Sequence, residues 1–186
     1  MRLFVAIDIP DTIRAEFAAF LKELRAIEPT VKWVRAENLH ITLKFLGYTD
    51  ATRLASLRDA LSAVGLAGAI SLDFRGLGFF PNEKRPRVFW AGMNASPNLA
   101  PLAANIDRAV HVLGFPLEER PLTPHLTLAR FNPPRISAPL AAMAKKPNER
   151  SFGAFTTREF HLFESKLKPT GAEYTKLNSF LFPPEA

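Results

Sequence analysis

The tetrad His-x-Thr-Leu occurs twice in this chain, in His40-Ile41-Thr42-Leu43-Lys44-Phe45 and, 85 residues later, in His125-Leu126-Thr127-Leu128-Ala129-Arg130. Each copy alternates polar and apolar residues at the period of a half-buried strand. Successive side chains on a strand point to opposite faces, so His40 and Thr42 share one face and Ile41, Leu43 and Phe45 the other. His125 and Thr127 stand in the same way against Leu126 and Leu128. A histidine and a hydroxyl presented together, twice, predict two similar lobes, each contributing half of one site.

The rest of the chain supplies elements for those lobes. An apolar strand over residues 3–9 is followed by a helix that starts at Pro10-Asp11-Thr12 and carries Ile13, Phe17, Phe20, Leu21, Leu24 and Ile27 on one stripe. A short strand over 31–34 precedes the first His-x-Thr strand, 39–46, which Gly47 ends. Asp50 caps a second helix with Leu54, Leu57, Leu61 and Val64 on its buried side, finished by Gly65 and Gly68. Strands over 70–80 and 88–93 flank the basic loop Pro81-Asn82-Glu83-Lys84-Arg85-Pro86-Arg87, read as an exposed hairpin loop that could also guide RNA. A third helix from Ser96-Pro97 carries Leu99, Leu102, Ile106, Val110 and Leu113. The second His-x-Thr strand breaks at Asn132-Pro133-Pro134. A short helix over 140–144 precedes two strands, 152–167 and 174–182, about a turn at Pro169-Thr170-Gly171, and Pro183-Pro184 ends the ordered chain. No linker is long or polar enough to mark a boundary, so residues 1–186 are expected to form a single α+β domain of two similar lobes.

Composition narrows the chemistry. A chain of 186 residues with 47% hydrophobic residues buries a substantial core, which excludes bulk disorder. The absence of cysteine excludes disulfides and thiolate metal sites. No apolar run approaches the ~20 residues of a membrane span, and the N-terminal run is too short for a signal peptide, so a cytoplasmic protein with no membrane partner is expected. A net charge of +6 and a pI of about 9.9 favour an anionic partner, with nucleic acid or nucleotides ahead of lipid.

Two histidines across a cleft can divide protonation duties, because an imidazole titrates at about 6.5. A neutral ring takes a proton from attacking water while a cationic ring gives one to a departing oxygen, as in-line cleavage of a phosphodiester requires. His40 and His125 are therefore the candidate catalytic pair. Thr42 and Thr127, on the same faces, would donate to non-bridging phosphate oxygens, and Arg130 would add a charged donor to those oxygens or lie against a base. Arg130 stands five residues after His125, so an ideal strand would turn it away; either it comes round where the strand ends at Asn132-Pro133 or its role is structural. The other two of the four histidines, His111 on a helix and His161 on a Phe-rich strand, read as structural, and the 16 phenylalanines as mostly core. No metal and no cofactor is required.

These residues resemble the 2H phosphoesterases, and within them the RNA 2′,3′-cyclic phosphodiesterases, historically called 2′-5′ RNA ligases. The resemblance runs through Arg2-Leu3-Phe4-Val5-Ala6-Ile7-Asp8-Ile9-Pro10, Asn38 to Gly47, Pro124 to Arg130, and Glu164-Ser165-Lys166-Leu167 with Gly171 and Tyr174. It implies two pseudo-symmetric lobes whose antiparallel sheets, with outer helices, line a central cleft. It also implies metal-independent opening of a 2′,3′-cyclic phosphate on an RNA end or a cyclic nucleotide, leaving a 2′-phosphate. By position it makes His40 the acid and His125 the base, with Thr42 and Thr127 holding phosphate and Arg130 beside the substrate. No protein partner is required, and a monomer is expected.

Three other activities compete. An ATP-dependent 2′-5′ RNA ligase lacks support, since neither a Gly-x-x-x-x-Gly-Lys-Ser/Thr loop nor Lys-x-Asp-Gly occurs. A non-catalytic RNA-binding module explains the charge but not matched His-x-Thr pairs, because phosphate positioning alone uses Arg and Lys. A zinc hydrolase would call for His-x-x-x-His or His-Glu-x-x-His, and neither is present.

Overall fold

The computed structural model describes residues 1–65, 68–145, 150–169 and 171–182. Its elements are β1 (Arg2–Asp8), α1 (Asp11–Ile27), β2 (His40–Tyr48), α2 (Leu54–Ser62), β3 (Ile70–Phe80), β4 (Val88–Ala95), α3 (Leu99–His111), β5 (His125–Arg130), α4 (Ala138–Ala144), β6 (Ser151–Thr157), β7 (Glu159–Lys168) and β8 (Gly171–Leu181). The strands form two four-stranded antiparallel sheets, ordered β2-β1-β7-β8 and β5-β4-β3-β6. Each His-x-Thr strand is thus the edge of its sheet, and the two edges, β2 and β5, lie side by side. Two lobes of antiparallel sheet about a cleft, as the sequence predicts, is the architecture found.

The helices cross over. α1 leaves β1 of the first sheet but lays Phe17 and Phe20 on the second, where Phe17 stacks 4.5 Å from Phe152 and meets Phe74 edge-on at 5.5 Å. Its i, i+3, i+4 spacing of Ile13, Phe17, Phe20, Leu21 and Leu24 buries one continuous stripe, each large side chain contributing roughly 1.5–3 kcal/mol. Ile27, placed on the same stripe by spacing, is 41% exposed because the helix ends there. α3 leaves β4 of the second sheet and packs beside β2 and α2 on the first. One apolar core therefore joins residues of both sheets.

The predicted strand over 31–34 is instead a crossing segment. Trp33 makes an isolated bridge to Ala129, the Val34 N–H donates to the Leu128 carbonyl at 2.8 Å, and the Trp33 indole N–H donates to the Glu28 carbonyl at 3.0 Å. The segment just ahead of the first histidine is thereby fastened to the second His-x-Thr strand. The reverse contact joins the same positions: Lys44 on β2, 2% exposed, donates to the Pro116 carbonyl at 2.6 Å and pairs with Asp107 at 2.6 Å and Glu118 at 3.0 Å. Glu118 precedes His125 by the same seven residues that separate Trp33 from His40.

Several boundaries differ from expectation. The predicted strand over 152–167 breaks at Arg158, so that β6 joins the second sheet and β7 the first. The Thr157 hydroxyl bonds both the N–H and the carbonyl of Glu159 at 3.2 Å, a local side-chain turn that interrupts the ladder. Gly47 does not end β2; it takes a positive φ of 70° within the strand, which continues to Tyr48. Asp50 caps a short 3₁₀ turn ahead of α2 rather than α2 itself. Thr170, in the expected turn at 169–171, and Pro183-Pro184 lie outside the described residues.

Candidate active site

Strict alternation fails on both edge strands at the same step. β1 pairs Val5 with Lys44 and Ala6 with Thr42, skipping Leu43, while β4 pairs Phe89 with Ala129 and Trp90 with Thr127, skipping Leu128. Each skip is a β-bulge, which adds a residue and reverses the facing of the residues beyond it. Leu43 and Lys44 are consecutively buried, as are Leu128 and Ala129. The next residue then returns to the histidine's face. Phe45 does so on β2, 57% exposed, where simple alternation would bury it with Ile41 and Leu43. On β5 it is Arg130, which reaches the cleft through the bulge and not, as expected, through the strand's end.

The two imidazoles are held alike. His40 Nδ1 lies 2.7 Å from the Asn38 carbonyl oxygen and His125 Nδ1 lies 2.8 Å from that of Thr123, in each case two residues upstream. A carbonyl oxygen only accepts, so each Nδ1 carries its proton, and each neutral ring keeps its lone pair on Nε2. Neither Nε2 has a protein partner among the described residues. Each ring also meets an aromatic edge-on: Tyr174 against His40 at 5.1 Å and 83°, Phe80 against His125 at 5.0 Å and 84°.

Their surroundings differ. His40 sits among Phe4, at 4.7 Å, Tyr174 and Phe163, and this burial pushes its pKa down to about 4. The Asn38 carbonyl and the Asp8 carboxylate oppose that fall, while Arg130 and His125 add to it. His125 is lowered too, first by burial and then by Arg130, with the Thr123 carbonyl opposing. One guanidinium thus acts on both rings and on the Tyr174 phenol, whose pKa burial raises and Arg130 lowers. Asp8 pairs in register with His40, and Arg14 at 2.7 Å and Lys176 at 2.9 Å hold its carboxyl below the usual range against the opposing effect of burial. A cavity of about 200 Å³ opens here, lined by Asp8, Arg14, Asn38, His40, Phe163, Tyr174 and Lys176 among others.

The half-buried Thr42 and Thr127 share their histidines' faces, and neither hydroxyl has a protein partner among the described residues. Beside Thr127 across the ladder lies Trp90, packed 5.0 Å from Phe80. Its indole rests over Gly78 and Gly92; a Cβ at Gly78 would come within 2.3 Å of the ring. Phe80 is so braced against His125. The pattern of the sequence does not expose Tyr174, Asp8, Phe80 and Trp90 as parts of the site, because each comes from a strand that only the sheet order brings near. His111 and His161 are engaged elsewhere, His111 Nδ1 with the Phe115 carbonyl at 2.9 Å and the buried His161 with Ser179 at 2.9 Å. Among the described residues no cluster of three or more His, Asp or Glu side chains of the metal-holding kind occurs, and no helix is long and apolar enough to cross a membrane.

The chain as a whole has known relatives. A family model described as LigT like phosphoesterase matches residues 7–90 and 93–174, one His-x-Thr strand in each segment. An RNA 2′,3′-cyclic phosphodiesterase of Archaeoglobus fulgidus is 38% identical over 97% of this chain and 99% of its own, and one of Methanocaldococcus jannaschii is 35% identical over 94% and 96%. Among solved structures, TT0787 of Thermus thermophilus superposes with a TM-score of 0.79 at 31% identity over the whole of both chains. The E. coli LigT complexed with 3′-AMP does so with a TM-score of 0.77 at 27% identity over 97% of both.

Proposed function

The chain belongs to the LigT-like phosphoesterase family, and from that premise we propose that it opens 2′,3′-cyclic phosphates at RNA ends through His40 and His125. The observation that carries this reading is the matched tethering of the two rings, which leaves two Nε2 atoms, on adjacent edge strands, free for one phosphorus. Water attacks the phosphorus as its proton passes to His125 Nε2. The P–O3′ bond breaks, and the departing 3′ oxygen takes the proton carried by His40 Nε2. The products are a 2′-phosphomonoester and a 3′-hydroxyl.

Thr42, Thr127 and Arg130 donate to the non-bridging oxygens, where negative charge builds as the fifth oxygen approaches. His40 is neutral in the empty site at pH 7, so it must gain its proton with the substrate. The phosphate anion, like Asp8, favours the charged imidazole and supplies that shift. Domain organisation follows the same reading: one bilobal unit over 1–186 acting as a monomer, since both halves of the site come from one chain.

The test is incubation with RNA ending in a 2′,3′-cyclic phosphate, with and without ATP. An end converted to a 2′-phosphate at the same rate in both supports the assignment. A 3′-phosphate would exchange the departing oxygen, and an ATP-dependent joined strand would replace hydrolysis by ligation.

A further inference from the structure

The loop between β3 and β4, residues 81–87, carries the exposed side chains of Lys84, Arg85 and Arg87 against a single carboxylate, Glu83. None of the three cations makes an ion pair among the described residues. Their backbone is fixed nonetheless. The Asn82 carboxamide oxygen accepts from the N–H groups of Lys84 at 3.0 Å and Arg85 at 3.1 Å. The Arg87 N–H donates to the Phe80 carbonyl at 2.7 Å, the Arg87 carbonyl accepts from Phe131 at 2.9 Å, and Pro86 is buried. Three like charges displayed on an ordered frame repel one another, and an anion bound there relieves the repulsion.

The loop's position names the anion. It begins at Phe80, whose ring stands against His125, and it ends at Val88, which pairs in register with Arg130. The cations therefore continue the charge of Arg130 outward from the cleft along one lobe. A strand whose terminal phosphate lies between the histidines must leave the cleft with its next phosphates still attached, and it meets this loop at high effective concentration. We infer that Lys84, Arg85 and Arg87 bind the phosphates of single-stranded RNA on the 5′ side of the reacting end. This rests on the proposed function for what occupies the cleft, and it assigns the loop to polynucleotide substrates as distinct from mononucleotides.

The experiment compares the full chain with the triple variant Lys84→Ser, Arg85→Ser, Arg87→Ser, using a charge-conserving Lys84→Arg, Arg85→Lys, Arg87→Lys variant as the control for folding. With a labelled single-stranded RNA octamer bearing a 3′-hydroxyl, the serine variant should bind about 10-fold more weakly at 0.1 M salt. The slope of log affinity against log salt should shrink by about 2, as expected for three lost contacts on a single strand. Its kcat/KM on the octamer with a cyclic phosphate end should fall similarly, while that on a nucleoside 2′,3′-cyclic phosphate stays within twofold. Unchanged RNA affinity and slope, or an equal loss on both substrates, would overturn the inference. So would unchanged RNA binding with lost binding to phosphatidylserine vesicles, which would hand the loop to lipid. Failure of the wild-type protein to open any cyclic phosphate sinks the proposed function but leaves the octamer-binding measurement to decide the loop.

Discussion

On β2 the residue that the bulge turns into the cleft is Phe45; on β5, at the same step from its histidine, it is Arg130. The position before it holds Lys44 in one lobe, buried in an ion pair, and Ala129 in the other, in a backbone bridge to Trp33. Beside Thr42 across the ladder stands Ala6, and beside Thr127 stands Trp90. The two lobes thus share a backbone, bulge included, and share the histidine's tether, while nearly every neighbouring side chain differs. The shared part ties each ring through Nδ1 to the carbonyl two residues upstream and leaves each Nε2 without a protein partner among the described residues. The unshared part gives them unequal environments, one closed in by Phe4, Phe163 and Tyr174 and the other set against Phe80, while the Arg130 guanidinium acts on both. On the proposed function the lobes match in how each ring is held and differ in what surrounds it, and the buried His40 has to gain its proton together with the substrate.

The comparison breaks most sharply at the histidines. His40→Ala and His125→Ala are each expected to cost at least ~10²-fold in kcat on a cyclic phosphate end, and the double variant little more than either, because the two act in one proton exchange. A loss confined to one of them would make the repeat decorative.

Next in size is the crossing contact. Lys44→Met leaves Asp107, whose side chain is 16% exposed, without its cation, and is expected to cost about 3 kcal/mol. For a chain of this length that lowers the midpoint of thermal unfolding by roughly 6–12 °C. The mirror change, Ala129→Lys, sets a cation where the other lobe offers Trp33 and no carboxylate, and should destabilise comparably. Calorimetry showing Lys44→Met as stable as the parent would mean that the lobes do not depend on this pair.

The smallest effects lie in pH. Both imidazoles titrate below 6.5, His40 at about 4, so the state with one proton on the pair is populated in the free protein only at acid pH. kcat/KM should peak below pH 6.5 and fall toward neutrality, whereas the kcat profile moves upward as bound phosphate favours the charged rings. Arg130→Met is expected to cost 10- to 100-fold in kcat/KM and, by removing a charge that opposes protonation of both rings, to shift the optimum to higher pH. Phe45→Ala should shift nothing. Folding follows the same sign: a histidine of the unfolded chain takes its proton near 6.5 while the folded one resists, so stability is full above that pH and declines toward about 4. An optimum unmoved in Arg130→Met would remove its guanidinium from the rings' electrostatics.

The local pattern of the sequence carries the edge strands, three long helices and the face shared by each histidine and threonine, because period and capping are written residue by residue. The bulges leave almost no trace: Leu43-Lys44 keeps the alternation of an unbulged strand, and only Ala129 after Leu128 departs from it. Only the pairing partner, β1 or β4, decides that Leu43 and Leu128 are skipped. The break at Arg158 is fainter still, since residues on both sides are strand formers and the change of sheet is a long-range choice. The crossing of α1 onto Phe74 and Phe152, and of Lys44 onto Asp107, has no local signature at all.

The fastening of Val34 to Leu128 in one direction and of Lys44 to Glu118 in the other acts as a pair of cross-ties behind the jaws of a caliper. These ties form when the polypeptide folds, and neither half can swing outward without snapping an amide–carbonyl link or stripping an ammonium of its counter-charges. On the proposed function a terminal phosphate meets two strands already tied together, so little of its binding free energy is diverted into drawing the walls together.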